Sequence, residues 1–379
     1  MKLVYFIDHL RPDGSQNVLR QLVEGLALRG HDQMVICLND SWDGPLVERL
    51  RTAGADVRIV GKMALASGYG LVSVWHWLRS ARFDVAVTLL FVSDVIGRTL
   101  AGLAGVPRIV TTLQTRNIDY TSLQRWFVRQ TMHWADAVVI SSIELRDFGI
   151  SEEGARPDRI HIIPHTVRVE DYQSSVDQKS LRIEFGVPVD GWLLGSVGRL
   201  THQKGFDVLL HALSVLSRDD LNLLLFGVGE EESKLRALAA ELNLQERVHF
   251  AGYRRDIPRL LGALDVYVQP SRFEGMPLAL LEAMAAARPV IASSVDGNRD
   301  LIENGVHGWL VPPEDPVMLA EAIQEALSDS KEAQRRGISA HQRVATHFSV
   351  DSMVLAWEKL LMGRSVSNCD VRPGGWLDT

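Results

Sequence analysis

Two short segments in the second half of the chain combine charged side chains with glycine or proline. The first, residues 198–205, has the sequence GRLTHQKG and precedes an apolar helical pattern. Arg199 offers a forked cation and Lys204 a compact one. A helix N-terminus beside two cations makes a site for an anion such as a diphosphate. Two solvated surface cations beside a turn are the alternative.

The second segment, residues 271–277, has the sequence SRFEGMP and precedes a helical pattern that contains Glu282. Glu274 lies in the loop, and Glu282 lies eight residues later, about one turn inside the helix. Carboxylates can accept hydrogen bonds from ligand hydroxyl groups, and Gly275 lets the backbone approach a ligand closely. A glutamate favoured by the helix dipole plus an ordinary surface glutamate are the alternative.

The elements that must carry these loops are short apolar runs that alternate with helical patterns. The runs occupy residues 3–7, 34–38, 57–60, 85–89, 108–112, 137–140, 192–197, 222–226, 248–251, 266–269 and 290–292. Such alternation predicts parallel sheets covered by helices on both faces. We therefore predict an α/β fold of two doubly wound, Rossmann-like domains that face a cleft. Both charged loops follow predicted strands, which is where such sheets bind ligands.

The predicted domains cover residues 1–172 and 180–346, followed by a helix at 347–363 and a tail at 364–379. A polar stretch at residues 151–178 interrupts the strand and helix alternation and predicts the hinge. The helical apolar pattern at residues 350–362 has two interpretations, a helix that returns to the first domain or a core helix of the second.

Composition narrows the classes of function. The chain has 379 residues, of which 46% are hydrophobic and 23% charged, as in ordinary globular proteins. Residues 1–175 carry 19 basic and 19 acidic side chains, so the net charge of −7 lies in the remainder and argues against nucleic acid as a partner. Two cysteines exclude a disulfide framework and fit a reducing, cytoplasmic location. The first residues lack a signal peptide layout.

Several segments in order resemble those of a known family. Residues 271–289, SRFEGMPLALLEAMAAARP, resemble the E-x7-E region of retaining nucleotide-sugar glycosyltransferases of family 4, also called glycosyl transferases group 1. Residues 198–213 resemble the phosphate loop of that family, and residues 13–31 resemble its N-terminal glycine-containing loop and helix. The resemblance implies GT-B architecture, with an acceptor-side N-terminal domain and a C-terminal donor domain.

The resemblance also implies roles for individual residues. Arg199 and Lys204 would stabilise the donor diphosphate as it leaves, and Glu274 would contact the transferred sugar, so these three are the predicted catalytic residues. Glu282 would bind the ribose hydroxyls. The other predicted donor-binding residues are Gly14, Gln114, Tyr253, Arg254, Phe273, Gly275, Met276, Pro277 and Leu278. The co-substrate would be a UDP- or GDP-linked sugar, with no cofactor and no metal; the chain contains no Asp-x-Asp motif.

The N-terminal half departs from the family pattern. Asp13 and Gln16 replace a Gly and a Glu of the glycine loop, and Gln114 replaces a His that usually touches the donor sugar. Glutamine can hydrogen-bond but cannot act as a general base. Arg116 and Asp119 are therefore candidate acceptor-side residues, with surface or structural roles as the alternative. In the donor half Ala287 replaces a Gly and Asp300 replaces a Glu. In the hinge, His165-Thr166 stands directly after Pro164, where the family usually has Asn-Gly.

The predicted activity is retaining transfer of a sugar to a glycan or lipid-linked acceptor, in bacterial polysaccharide or glycolipid synthesis. A nucleotide-sugar 2-epimerase of the same fold and a non-catalytic scaffold are the rival functions. Residues 120–134 mix aromatic side chains with Arg125 and Arg129, and the stretch from Arg98 to Arg129 contains five arginines, both ends included. Such a helix can bind an anionic membrane surface peripherally; an ordinary core helix with solvated arginines is the alternative.

Overall fold

A computed structural model describes residues 1–11, 14–114, 116–117, 120–143, 145–172, 178–216 and 218–364. The chain divides into two compact units. Unit 1 contains Met1–His165 and the residues from Val350 onward, and unit 2 contains Thr166–Ser349. The boundary at His165 lies seven residues ahead of the end predicted for the first domain. Helices and strands are numbered along the chain through both units.

Unit 1 is built on a seven-stranded parallel sheet with the order β3-β2-β1-β4-β5-β6-β7. Its strands are β1 (Lys2–Ile7), β2 (Asp32–Cys37), β3 (Asp56–Ile59), β4 (Val85–Leu89), β5 (Arg108–Leu113), β6 (Ala137–Ile140) and β7 (Ile160–Ile162). Strand β4 is buried at all five positions, as expected for a parallel strand covered on both faces. Strand β7 was not predicted and lies inside the stretch interpreted as the hinge.

Eight helices of the described residues belong to unit 1. They are α1 (Gly14–Ala27), α2 (Gly44–Thr52), α3 (Lys62–Ala66), α4 (Tyr69–Ala81), α5 (Phe91–Ala104), α6 (Ser122–Thr131), α7 (Leu145–Ser151) and α16 (Val350–Leu361). Helix α16 packs on α1 so closely that a Cβ at Gly25 would lie 2.3 Å from a methyl carbon of Val354. Glu358 of α16 also accepts hydrogen bonds from Arg29 and His31, at 2.7 and 2.8 Å. The last helix is therefore part of the N-terminal core.

Unit 2 is built on a six-stranded parallel sheet with the order β10-β9-β8-β11-β12-β13. Its strands are β8 (Trp192–Val197), β9 (Leu221–Phe226), β10 (Val248–Gly252), β11 (Val266–Gln269), β12 (Val290–Ser293) and β13 (Trp309–Val311). Strand β9 is buried at all six positions. The two sheets confirm the predicted pair of doubly wound, Rossmann-like domains.

The helices of unit 2 include the two that follow the charged loops. They are α8 (Gln178–Glu184), α9 (Phe206–Val215), α10 (Glu232–Glu241), α11 (Ile257–Gly262), α12 (Leu278–Ala285), α13 (Asp296–Leu301), α14 (Pro316–Ser328) and α15 (Ser330–His347). Asp315 caps α14, because its carboxylate accepts the backbone N–H groups of Val317 and Met318 at 3.1 and 3.0 Å. The fold thus places α9 directly after the loop of Arg199 and α12 directly after the loop of Glu274.

Candidate functional site

The candidate site lies where the strand order of the unit 2 sheet reverses. Strands β8 and β11 are neighbours in the sheet although two strands separate them in sequence. The loop of residues 198–205 follows β8, and the loop of residues 270–277 follows β11. Because parallel strands end at the same edge, both predicted loops meet at the topological switch point, where open α/β sheets bind ligands.

The two loops are held together by hydrogen bonds between them. The backbone N–H of Arg272 donates to the carbonyl of Gln203 at 2.8 Å, and the amide of Gln203 donates to the carbonyl of Phe273 at 3.0 Å. The guanidinium of Arg272 also forms two hydrogen bonds to Asp207, at 2.9 and 2.7 Å. This bidentate pair fixes the second loop to the first turn of α9.

Gly205 permits the close approach of the two loops. Its φ of 63° lies in the left-handed region, which side chains rarely adopt. A Cβ at this position would lie 2.1 Å from the carbonyl oxygen of Pro270. Glycine is therefore required at the start of α9 for both conformational and steric reasons.

Glu274 is the centre of the hydrogen-bond network between the loops. Its Oε1 accepts the ammonium of Lys204 at 2.6 Å, the amide of Gln269 at 2.8 Å and the hydroxyl of Ser271 at 2.6 Å. The Glu274 side chain is 6% exposed and that of Lys204 18%. None of the described residues donates to the second oxygen, Oε2. The carboxylate is thus fixed through one oxygen, and its second oxygen can accept a further hydrogen bond.

The remaining predicted charges lie on the same two elements. Arg199 is exposed, and its guanidinium has no hydrogen-bond or ion-pair partner among the described residues. Glu282 is the fifth residue of α12 and is half-buried. Burial, and then the charges of Glu274 and Glu282, raise the pKa of the fully buried Tyr267 well above its usual value. Tyr267 therefore lies within electrostatic reach of both glutamates as a neutral phenol.

The start of α12 is the other part of the loop that could bind an anion. Gly275, Met276 and Pro277 are buried, and Pro277 occupies the N-cap position without a capping side chain. Phe273 and Leu278, the other donor-binding predictions in this segment, flank them and are half-buried. A helix end without a side-chain cap leaves backbone N–H groups available to an anion.

Tyr253 and Arg254 follow the edge strand β10, two strands away from β8 in the sheet. Tyr253 is 48% exposed. The guanidinium of Arg254 forms two bonds of 2.8 Å with Asp256 and one of 2.6 Å with Glu184. These hydrogen bonds, that to Asp256 first, raise the pKa of Arg254. The side chain of Arg254 is therefore engaged by carboxylates of unit 2 itself.

The other predicted site residues belong to unit 1. Gly14 is the first residue of α1, Gln114 follows β5, and Arg116 is exposed. Asp13 and Asp119 lie outside the described residues. Gln16 is 1% exposed, and its amide donates to the carbonyl of His9 at 2.9 Å. The glutamine that replaces the family's glutamate is thus a buried structural contact that ties α1 to the end of β1.

The sequence interpretation missed four residues that build the site: Gln203, Gln269, Ser271 and Arg272. Gln269 and Ser271 are 1% and 0% exposed. Their position was the available signal, because Gln269 and Ser271 are polar residues at the end of a buried apolar strand. Buried polar groups require hydrogen-bond partners, so both residues could have been predicted to bind other parts of the site. Gln203 and Arg272 carried no comparable signal, since their partners lie about 70 residues away in sequence.

In the described part of the chain, no group of three or more His, Cys, Asp or Glu side chains is arranged to hold a metal ion. Among the same residues, no helix combines the length and the apolar character that a membrane span requires.

Comparison with known proteins assigns the family. The family model "Glycosyl transferases group 1" matches residues 177–343, and "Glycosyltransferase Family 4" matches residues 12–171. The chain is 29% identical to the UDP-Gal:alpha-D-GlcNAc-diphosphoundecaprenol alpha-1,3-galactosyltransferase of Escherichia coli, over 68% of the chain and 70% of that protein. It is 32% identical to a D-inositol 3-phosphate glycosyltransferase of Xylanimonas cellulosilytica, over 73% of the chain and 66% of that protein.

The fold is that of solved glycosyltransferase-like structures. Anabaena Alr3699/HepE in complex with UDP and glucose superposes with a TM-score of 0.85 at 22% identity, over 96% of this chain and 100% of that one. The lipopolysaccharide biosynthesis glycosyltransferase WaaG gives a TM-score of 0.75 at 20% identity, over 95% and 100%. The two family models together span both units, and the named relatives and the shared fold agree with them. The chain therefore belongs to the group 1, family 4 glycosyltransferases and is an enzyme of GT-B fold.

Proposed function

We propose that this enzyme transfers a sugar from a UDP- or GDP-linked donor to a glycan or lipid-linked acceptor, with retention of the anomeric configuration and without a metal. Arg199, Lys204 and the N-termini of α9 and α12 stabilise the diphosphate as the anomeric C–O bond breaks. Glu274 accepts a hydrogen bond from a hydroxyl of the transferred sugar, and Glu282 accepts hydrogen bonds from the ribose hydroxyls. The E-x7-E pattern supports retention, and the E. coli relative, named for transfer from UDP-Gal to a diphosphoundecaprenol-linked sugar, supports a lipid-linked acceptor.

The observation that carries the proposal is the geometry around Glu274. Three donors converge on Oε1, and one of them is the ammonium of Lys204. Lys204 thus bridges the two functions of the site, because it fixes the sugar-binding carboxylate and contributes a cation to the phosphate loop. A polar group held in place before the ligand arrives loses little entropy on binding.

Calorimetric titration with UDP, GDP and ADP, followed by transfer assays with the matching nucleotide sugars, tests the donor. We expect one of the three nucleotides to bind in the titration. In the transfer assay, the sugar linked to that nucleotide should be consumed and the nucleotide released. Proton NMR of the product reports the anomeric configuration. Release of an epimerised sugar would indicate the 2-epimerase instead, and nucleotide binding without turnover of any sugar would indicate a scaffold protein.

Site variants test the residue roles. Arg199→Ala should lower the transfer rate on the order of 10²–10³-fold, by analogy with the loss of an oxyanion donor. Arg218→Ala is the matched control, since the Arg218 guanidinium is engaged by Asp220 at 2.9 and 2.6 Å. Glu274→Ala should abolish transfer, and a full rate in this variant would contradict the assignment.

We also propose that unit 1 contacts an anionic membrane at the cytoplasmic face. Helix α6 buries only Val128, whereas Leu123, Trp126 and Phe127 are 64%, 53% and 41% exposed. These three residues share one face at i, i+3 and i+4. Such exposure is untypical of a core helix and supports a lipid surface as partner.

The stretch from Arg98 to Arg129 exposes less unpaired positive charge than its sequence indicates. Arg98 is fully buried, and Arg125 pairs with Glu152. Trp134, the last aromatic residue of the segment 120–134, packs against α5 so closely that a Cβ at Gly102 would overlap its ring. Membrane contact would therefore depend more on apolar insertion than on charge.

Cosedimentation with vesicles tests this contact. The wild type should bind vesicles that contain phosphatidylglycerol at low salt and bind phosphatidylcholine vesicles more weakly. Leu123→Ser should reduce binding, while Leu28→Ser, the same change at a residue 90% exposed on another part of unit 1, should not. No binding to the phosphatidylglycerol vesicles, equal binding to the two kinds of vesicle, or equal loss of binding in both variants would refute the proposal.

A further inference from the structure

Unit 1 contains a charged cluster that is buried beneath the carboxyl ends of its strands. Asp94 and Arg98 lie one turn apart on α5, and Arg98 is 0% exposed. Oδ1 of Asp94 accepts the hydroxyls of Thr88 and Thr111 at 2.5 and 2.6 Å. These bonds fix the carboxylate to β4 and β5, so the cluster is anchored in the sheet.

Arg98 has few conventional partners. Its Nε donates to the carbonyl of Asp94 at 2.5 Å and its Nη1 donates to the sulfur of Met132 at 3.2 Å. Its Nη2 is buried without a hydrogen-bond partner among the described residues. A buried cation requires nearby negative charge, and here the opposing charges are those of Asp94 and Glu153.

Glu153 connects this cluster to the predicted acceptor-side segment. It lies two residues after α7 and is 5% exposed. Its Oε1 accepts the side-chain amide of Asn117 at 2.7 Å. Asn117 stands next to Arg116 and three residues after Gln114. The ring of Tyr120 lies edge-on to Phe91 at 5.1 Å, which attaches the end of the segment to α5.

We propose that Glu153 is a positioning residue that holds Asn117 and thereby orients Gln114 toward the transferred sugar and Arg116 toward the acceptor. The inference rests on the proposed function, because it assumes that this segment serves the donor sugar and the acceptor. Glu153 itself is buried and acts through Asn117. A carboxylate accepts a stronger hydrogen bond than a neutral carboxyl group does. Glu153 therefore holds the side chain of Asn117 more strongly when it is ionised.

The charge of Glu153 depends on its surroundings. Burial, followed by the charge of Asp94, raises the pKa of Glu153 to about 7. Arg98 from α5 and Arg125 from α6 oppose the shift. Tyr120 carries no charge near neutral pH, because burial raises its pKa first and nearby carboxylates raise it further. Asp8 is the other carboxyl group that acts on Asp94. The positioning contact therefore responds to proton concentration near neutrality.

Hydrogen exchange of the full chain tests the positioning without an acceptor. Glu153→Ala should accelerate exchange in the peptide that contains Gln114 and Asn117 by about tenfold, the effect of one lost hydrogen bond. Glu153→Gln should retain most of the protection, because its amide oxygen can still accept from Asn117. Glu152→Gln is the matched control, since the neighbouring Glu152 is 40% exposed and pairs with Arg125. Asn117→Ala gives a second test if Glu153→Ala folds poorly.

The readouts separate this proposal from the proposed function. UDP affinity should stay within about twofold in every variant, because the phosphate contacts belong to unit 2. Wild-type protection of the peptide should increase from pH 6 to pH 8 relative to Glu153→Gln measured at the same pH, because the bond from Asn117 favours ionised Glu153 in a local opening that leaves this carboxyl group buried. Unchanged exchange in Glu153→Ala and Asn117→Ala would overturn the positioning role whether or not transfer is detected. Faster exchange in a protein that turns over no nucleotide sugar would support the positioning contact and refute the proposed function.

Discussion

Substitution of Lys204 by methionine removes one of the three donors to Glu274 and the one cation among them. A hydrogen bond to a charged group contributes about 1.5–3 kcal/mol, and a broken, fully buried ion pair costs about 3–5 kcal/mol. The Lys204 side chain is 18% exposed, and Gln269 and Ser271 remain as neutral donors. We therefore expect a loss near the lower range, about 2 kcal/mol of the stability of unit 2.

A double-mutant cycle isolates the interaction. Glu274→Gln keeps the shape of the side chain but removes its charge, so Lys204 loses its counterion. In the double variant neither charge is left without its partner, and its cost should be about 1–2 kcal/mol smaller than the sum of the single costs. Urea unfolding monitored by hydrogen exchange of peptides from β8 and β11 reports on unit 2 separately from unit 1.

Ligand binding provides the second readout of the same variants. Lys204→Met should weaken UDP binding about 10- to 100-fold, the equivalent of one charge-assisted hydrogen bond. Glu274→Gln should leave UDP affinity within about threefold and lower the rate of sugar transfer, because the proposed function assigns Glu274 to the sugar and not to the diphosphate. Additive stability costs would refute the energetic coupling of the pair. Equal losses of UDP affinity in the two single variants would refute the division of roles between phosphate and sugar.

Three further predictions concern stability. The pKa of Glu153 is raised from 4.5 to about 7. The contribution of Glu153 to the unfolding free energy is therefore greatest below pH 4.5 and declines as the pH rises through 7, by about 3 kcal/mol in total. Glu153→Gln should remove this decline, so the difference in unfolding free energy between wild type and variant should change between pH 5 and pH 8. A difference that stays constant over this range would contradict the prediction. Ala287 has a φ of 54°, so Ala287→Gly should stabilise by about 0.5–1 kcal/mol in thermal unfolding, the relief of strain less the entropy of glycine. A Cβ at Gly337 would lie 2.7 Å from the carbonyl oxygen of Ala287, so Gly337→Ala should lower the unfolding free energy by about 1–3 kcal/mol in the same assay.

The strands that could be predicted have four or more residues, and they include all the central strands and the edge strands β3 and β10. Strands β8 and β11 have the bounds expected from their apolar runs, because strands buried on both faces are uniformly apolar. Strands β7 and β13 have three residues each, lie at sheet edges and were missed. Helix α15 was also missed, since it contacts the core through small residues: Ala333, Gly337, Ala340 and Val344.

The candidate site was predictable to the level of loops. The residue types at Arg199, Lys204, Glu274 and Glu282 indicated an anion and hydroxyl site, and the structure brings all four to the edge of β8 and β11. The hydrogen bonds of Gln203 and Arg272 depend on the approach of two loops about 70 residues apart, which local spacing does not encode. Arg98 was interpreted wrongly from the sequence. It was counted with the arginines of a membrane-binding surface, but it is fully buried.

Glu274 and Glu153 show how surroundings give one residue type two functions. Both carboxyl groups are largely shielded from solvent, since the side chain of Glu274 is 6% exposed and Glu153 is a buried residue. Glu274 has an ammonium and two neutral donors on a single oxygen, so its charge is matched locally and its second oxygen can bind a hydroxyl. Glu153 has one amide donor and a neighbouring carboxylate, and its pKa of about 7 makes its charge depend on pH. The first arrangement suits a group that must present the same oxygen in every turnover. The second suits a contact whose strength changes with proton concentration, so the acceptor side should respond to pH while nucleotide binding does not.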